Sequence, residues 1–289
     1  MTQDYETLTV DHEGPIALIT FNRPEVMNAL NWRMGLELRH AVHHADQDDN
    51  VRVIVVTGKG RAFCAGQDMS TGTSAFRRGD TPDEDHRAKM TEALTVPGAK
   101  QYWEMNTPII AAINGAAVGA GITIPLQFDL RIVAEDAKLG FVFARRGVLP
   151  ELNSTMTLPL MTGIPRALEL LMTGRIFSGR DAVSYGLANE AVPADQVLPR
   201  AMELAREIAV NAAPLPVALI KRLVYENAAL SSSLGDVQRR NSQIFRWSTL
   251  QPDAQEGPAS FLQKREPNWS ARKNADFPDE VFATAGRNG

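Results

Sequence analysis

Apolar positions along this chain follow two different periods. Up to about residue 193, short and nearly unbroken apolar runs alternate with segments of helical period. Beyond it only the helical period persists. Ile16–Phe21 (IALITF) follows a turn at Gly14-Pro15 and reads as a strand. Asn22-Arg23-Pro24 ends it, and Asn31 is placed to cap a helix running to about Asp46. Val51–Thr57 (VRVIVVT) is a second strand closed by Gly58, and its lack of alternation predicts burial on both faces. Phe63-Cys64-Ala65-Gly66-Gln67-Asp68 makes a compact bend after it. Asp129–Glu135 reads as a third strand and Lys138–Phe143 as a short fourth. Glu151–Met161, behind Pro150, is helical and stops at Gly163; Arg166–Met172 and Gly179–Tyr185 are short helices, and Leu187–Val192 is extended. Helices follow at about 195–210, 214–229, 231–249 and 252–265, and the polar tail Ser270–Gly289 is expected to be loosely held. This order predicts an α/β layer with parallel pairing over 1–193 and an all-helical part over 194–289.

Within this pattern Thr107–Gln127 (TPIIAAINGAAVGAGITIPLQ) stands out. A buried strand, Ile109–Ile113, breaks at Asn114-Gly115, and a run of small residues through Gly119-Ala120-Gly121 enters an apolar helical pattern. A helix start of this kind presents unpaired N–H groups that suit a phosphate or the oxyanion of a polarised carbonyl. Close packing of a helix on a strand explains the same small residues, so the stretch alone leaves both readings open. The bend at 63–68 repeats the arrangement. Each bend offers one N–H, from Gln67 and from Ala120, and an oxyanion hole needs two converging donors. Ser70–Thr95 carries RRGDTPDEDHR and reads as a lid-like excursion leading into a helix over Asp83–Met105, interrupted near Pro97-Gly98.

Composition narrows the functional classes. The 289 residues are 44% hydrophobic and 22% charged with a net charge of −4, so no basic field favours nucleic acid or an anionic membrane. The chain starts with a polar segment rather than a signal-like apolar run, and no stretch of about 18 apolar residues is present. A single cysteine, Cys64, fits a reducing, cytoplasmic setting; flanked by Phe63 and Ala65 with no basic neighbour, it reads as a buried structural thiol. His40, His43 and His44 share a helix at metal-compatible spacing, but that helix runs into ADQDDN, which favours a solvated face, and no metal motif is present. Arg145-Arg146 and Lys264-Arg265 are basic pairs suited to phosphates or to solvent. Glu151 stands at a predicted helix start, where the dipole favours a carboxylate. Leu149 and Leu152 beside it favour a raised pKa and proton transfer.

GRAFCAGQDM (Gly60–Met69) and NTPIIAAINGAAVGAG (Asn106–Gly121) together resemble the crotonase family of enoyl-CoA hydratases and isomerases. NRPEVMNAL (Asn22–Leu30), FDLRIVAEDAKLG (Phe128–Gly140), TGRIFSGRDAVSYGLANEAV (Thr173–Val192) and EGPASFLQKREPNW (Glu256–Trp269) extend the resemblance in order across nearly the whole chain. It implies a crotonase-like spiral of β-β-α turns over 1–193 and a C-terminal helical oligomerisation region over 194–289, in a homotrimer or dimer of trimers. It further implies an acyl-CoA thioester substrate, with coenzyme A entering only as part of that substrate and no other cofactor. By match, Gln67 and Ala120 supply the oxyanion N–H groups. Val26, Met27, Ala65, Gly66 and Asp68 border the adenine and pantetheine, and Lys264 approaches the CoA phosphates, commonly those of a neighbouring subunit.

Two departures bear on the chemistry. Hydratases of the family use two glutamates, and the matching positions here are Thr123 and Phe143. VLPELNST (Val148–Thr155) instead resembles certain Δ3,Δ2-enoyl-CoA isomerases that carry one acidic residue at the position of Glu151. The expected activity is therefore isomerisation by Glu151. An atypical hydratase or another acyl-CoA lyase or hydrolase is the alternative within the family, and acyl-CoA binding without turnover is the alternative outside catalysis.

Overall fold

The computed structural model describes residues 4–70, 84–229 and 234–284. In chain order the strands are β1 (Leu8–Glu13), β2 (Ile16–Phe21), β3 (Val53–Gly58), β4 (Ala62–Cys64), β5 (Ile109–Ile113), β6 (Ala116–Val118), β7 (Leu130–Ala134), β8 (Leu139–Gly140) and β9 (Glu190–Val192). The helices are α1 (Trp32–Gln47), α2 (Glu84–Leu94), α3 (Ala120–Thr123), α4 (Ser154–Thr162), α5 (Ile164–Thr173), α6 (Gly179–Ser184), α7 (Val197–Asn211), α8 (Pro214–Ala229), α9 (Leu234–Ser248), α10 (Asp253–Gln263) and α11 (Asp279–Thr284).

Two sheets carry the architecture, one of six strands ordered β1-β2-β3-β5-β7-β9 and one of three ordered β4-β6-β8. Among the described strands only β1 pairs antiparallel with its neighbour and the other strand pairs are parallel, while an isolated antiparallel bridge joins Leu139 to Phe177. Each of β3, β5 and β7 passes directly into a short strand of the second sheet, so the chain climbs in ββ turns, as the spiral expectation requires. Register sets Ile54 beside Ile109 and Ile110 beside Leu130, and β3 and β5 are buried along their whole length. That double-sided burial is why these strands are apolar without alternation. α7 covers the large sheet with Val197, Ala201, Met202, Ala205 and Ala209. α8 and α9 enclose a smaller apolar centre of Leu215, Leu219 and Ile244.

Several expectations are corrected. β1 was not anticipated, because its charged outward positions hide a strand paired on one side only. β3 starts at Val53 because the Val51 N–H closes a turn on Asp48 O at 3.0 Å. The predicted fourth strand ends at Gly140, and Phe143 opens a tight turn over Ala144–Arg146. Helix α4 begins at Ser154 rather than Glu151, since Leu152 and Asn153 are left-handed (φ 54 and 55). Of the lid-like excursion, residues 71–83 lie outside the described residues, and the helix continuing it stops at Leu94.

The histidine face is not solvated: His40 and His43 are buried and only His44 is exposed. Tyr5 Oη and His40 Nδ1 share a hydrogen bond of 2.8 Å, and burial, with His44 and His43 nearby, holds His40 below its usual pKa. Cys64 is buried as expected, and desolvation pushes its thiol up to about 11.

The tail is not loose between Ser270 and Phe277. Lys273, 1% exposed, donates to the carbonyls of Asp46 and Asp48 at the end of α1, each at 2.7 Å. Asp46 Oδ1 in turn accepts the N–H groups of Asn106 (2.9 Å) and Thr107 (2.8 Å) and the Thr107 hydroxyl. Asn106 closes the ring by donating to Lys273 O at 3.1 Å. On the other side Lys221 donates to Thr107 O and pairs with Asp129, whose Oδ2 accepts the Ile109 N–H at 2.7 Å. The entry to β5 is thus held by buried, paired charges, although Asp46 Oδ2, Asp129 Oδ1 and Asn106 Oδ1 are buried without a hydrogen-bond partner among the described residues.

Candidate active site

β4 and β6 lie side by side, with Ala62 beside Ala116 and Cys64 beside Ala117, so both chains leave this sheet at the same end and bend there. Gly66 has φ +98, and a Cβ on it would sit 2.6 Å from Val118 O; a Cβ on Gly119 would come within 4.0 Å of Gly66 Cα. The two bends therefore touch backbone to backbone, which no residue with a side chain at position 66 would permit. The residues that follow these glycines are Gln67 and Ala120. Among the described residues, neither of their N–H groups donates to a protein acceptor, and both residues line one cleft. Helix α3 is only four residues long and passes straight into a 3-10 turn, Pro125–Gln127. A single turn cannot sum a large macrodipole, so the useful property of this helix start is its free first-turn N–H groups.

The loop before α1 braces the first bend. Ala65 N–H donates to Met27 O at 3.0 Å, Leu30 N–H to Gly66 O at 2.7 Å and Asp68 N–H to Leu30 O at 2.8 Å. Asn28, fully buried, donates to the carbonyls of Lys59 and Ala62. Arg23 pairs with Asp68 at 2.9 Å. Burial opposes ionisation of Asp68, but hydrogen bonds from Ser70 and the Arg23 guanidinium outweigh it and hold this carboxyl below its usual range.

The cleft that results encloses about 350 Å³ and is walled by Ala65, Gly66, Gln67, Met69, Val118, Gly119, Ala120, Val142, Phe143, Arg146, Val148, Leu149 and Glu151. Glu151 enters from a rim turn secured by Ser154, whose N–H and hydroxyl donate to Glu151 O at 3.0 and 2.6 Å. Its Oε1 lies 3.5 Å from the Thr123 hydroxyl, one helical turn beyond Ala120. The residue is exposed at the rim, yet the surrounding wall strips enough water from the carboxyl to raise its pKa, against the opposing effect of the Thr123 hydrogen bond. Among the described residues Glu151 is the one carboxylate on the cleft wall. A carboxylate with a raised pKa beside two free N–H groups is an arrangement for abstracting and returning a proton next to a polarised carbonyl.

Gln67, Ala120, Ala65, Gly66, Phe143 and Glu151 line one cleft, with Thr123 buried next to Glu151. Val26 and Met27 sit on the neighbouring turn, partly exposed. Asp68 is committed to Arg23 and acts as a fastener of the bend. Lys264 is not on the cleft wall: it is the exposed, left-handed residue ending α10 (φ 53). Met69, Val142, Val148 and Leu149 join the wall without having been anticipated, since isolated apolar residues carry no signal of their own. Arg146 was visible only as half of a basic pair.

The sequence model described as enoyl-CoA hydratase/isomerase matches residues 11–272. An enoyl-CoA hydratase of Alternaria alternata is 39% identical over 266 residues, covering 90% of this chain and 84% of its own length. A carnitinyl-CoA dehydratase of Proteus mirabilis is 33% identical over 272 residues, covering 92% and 99%. The crystal structure of a probable enoyl-CoA hydratase/isomerase from Mycobacterium abscessus superposes with a TM-score of 0.81 at 36% identity, covering 92% of this chain and 99% of that one. With its ββ spiral, its paired glycine bends and this match along nearly its full length, the chain belongs to the enoyl-CoA hydratase/isomerase family.

Proposed function

We propose that this enzyme converts 3-enoyl-CoA thioesters to 2-enoyl-CoA thioesters with Glu151 as its single proton carrier. The observation that supports this reading is the cleft wall, where among the described residues Glu151 is the one carboxylate and Phe143 is a further lining residue. Isomerisation moves one proton between two carbons of one substrate, so one carboxylate suffices. Glu151 takes the proton from C2, and the C–H electrons pass into the thioester carbonyl. The resulting dienolate oxygen rests on the N–H groups of Gln67 and Ala120. The dienolate then reacts through C4, taking back the proton from Glu151; the double bond shifts and the carboxylate is restored. Val142, Phe143 and Val148 keep the wall apolar near this exchange. Val26, Met27, Ala65 and Gly66 flank the CoA portion, and Lys264 meets its phosphates from an adjoining subunit.

A second reading, hydration or its reverse, is favoured by the names of the Alternaria and Proteus relatives and by the position of Glu151 at a solvent-accessible rim. Incubation with 3-enoyl-CoA and with 2-enoyl-CoA separates the two. The first substrate is expected to yield the conjugated thioester, and the second to persist without gaining water. Rapid hydration of 2-enoyl-CoA would overturn the isomerase reading, and turnover of either substrate ends the non-catalytic one.

Glu151 must be ionised to act. Its raised pKa therefore predicts that kcat climbs with pH through a midpoint above the ordinary glutamate value of about 4.3 and then levels off. The Thr123 hydroxyl favours the ionised form, so Thr123→Val should move that midpoint higher still. A pH profile of kcat for both proteins checks the direction.

The C-terminal helices leave Phe245, Leu250, Phe261 and Leu262 largely exposed, Phe261 at 82% and Leu262 at 78%. Apolar surface of this kind suits subunit contact, consistent with a trimer or a dimer of trimers. Sedimentation of the wild type should give a multiple of three chains, and Phe261→Asp combined with Leu262→Asp should give a smaller species; a monomeric wild type would exclude the assembly.

A further inference from the structure

Among the described residues Arg146 is the second charged residue on the cleft wall, exposed to solvent and without a side-chain partner in the protein. It sits in the turn Ala144–Arg146, its N–H donating to Phe143 O at 2.8 Å, and Gly147 closes that turn with φ 71. Its neighbour Arg145 is committed to the fold, with Nε donating to Thr173 O at 2.6 Å. Among the described residues the Arg146 guanidinium has neither a hydrogen-bond nor an ion-pair partner, and it makes no pair with Glu151. The neighbouring wall residues Val142, Phe143, Val148 and Leu149 are apolar. A guanidinium placed so keeps its planar fork of donors for whatever enters the cleft. Such a fork fits a carboxylate in two parallel hydrogen bonds, adds little for a methyl end and repels a cation.

We propose that Arg146 selects acyl groups that carry a carboxylate beyond the reacting carbons. The inference rests on the acyl-CoA reading of the same cleft and adds a class of acyl group to it. The discriminating contrast is with a trimethylammonium end, as in carnitinyl-CoA, which the same guanidinium disfavours.

The test is a matched series of straight-chain 3-enoyl-CoAs ending in methyl, carboxylate or trimethylammonium, assayed with wild type, Arg146→Gln and Arg146→Lys. Calorimetric binding of the saturated acyl-CoAs with the same three ends reads the preference without turnover. The wild type is expected to favour the carboxylate end over the methyl end by about tenfold in kcat/KM, carried by KM, with the trimethylammonium end poorest. Arg146→Gln should erase the carboxylate advantage and improve the cationic substrate, and Arg146→Lys should restore part of the preference. Equal losses for all three ends together with weaker binding of free CoA would overturn the proposal and assign Arg146 to the CoA phosphates. No change in any variant would overturn it as well, leaving a solvated arginine. Hydration in place of isomerisation would refute the isomerase reading alone, because the ranking of the three ends is read from binding.

Discussion

Glu151→Gln is expected to lower isomerase kcat by roughly 10²–10⁴-fold with little change in KM. Glutamine keeps the size of the side chain and can still meet the Thr123 hydroxyl, but it cannot take a proton from C2. Among the described residues no other wall residue substitutes for it, since none carries a carboxylate and, by resemblance, the positions of a hydratase's two glutamates hold Thr123 and Phe143. The fold should survive: the turn at Glu151 is fixed by its backbone carbonyl, which accepts from the Ser154 N–H and hydroxyl whatever the side chain is. A thermal melt beside the steady-state kinetics separates lost chemistry from lost structure. Glu151→Asp, one methylene shorter, should fall between the two because its carboxylate is drawn back from Thr123. Turnover by the glutamine variant at the wild-type rate would remove Glu151 from the mechanism.

Gly121→Ala should be the most damaging single-methyl change in the site. A Cβ there would lie 1.9 Å from Cys64 O and 2.8 Å from Cys64 C, and both are backbone atoms of β4 that cannot turn aside. Helix α3 must then move off β4, carrying Ala120 away from Gln67. Loss of one oxyanion donor costs about 3 kcal/mol of transition-state stabilisation, or a factor of 10²–10³ in kcat. The variant should also melt at a lower temperature, because the methyl overpacks a buried contact. Gly35→Ala is the matching control: it lies within α1 with open space around it, and the change should be neutral or stabilising by up to about 1 kcal/mol. If Gly121→Ala retained full activity, the two bends would not be the paired donors described above.

The legible parts of this chain were those whose environment is the same on both sides. β2, β3, β5 and β7 announce themselves because both faces are buried. β1 does not, because an edge strand with charged outward positions has the local signature of a loop. β4 and β6 are three residues each and disappear into the glycine bends they lead to. The site was legible to the extent that it repeats: two strands, two glycines and two N–H groups in similar order. Their convergence was not, because the Gly66–Gly119 approach joins residues far apart in sequence. Glu151 was open to proton transfer from its apolar neighbours and became the leading base through family resemblance; local pattern also made it a helix start, which Leu152 and Asn153 contradict by their left-handed backbone. The burial of His40 and His43 escaped for a related reason, since the acidic end of α1 suggests solvent while Tyr5 and Lys273 arrive from distant parts of the chain.

The contact of Lys273 with the end of α1 bears on the order in which the strand leading to the cleft is secured. Through Asp46 it reaches Asn106 and Thr107, and so the strand that carries the chain toward Ala120. A growing chain on the ribosome that has not yet released residues 271–277 leaves Asp46 O without Lys273 and the Asn106 amide without its acceptors. The N-terminal strands can assemble early, as domains do during synthesis. The seat of β5 gains its last restraint only once residues 271–277 are free to dock, so the strand leading to Ala120 is fixed from both sides of it in sequence.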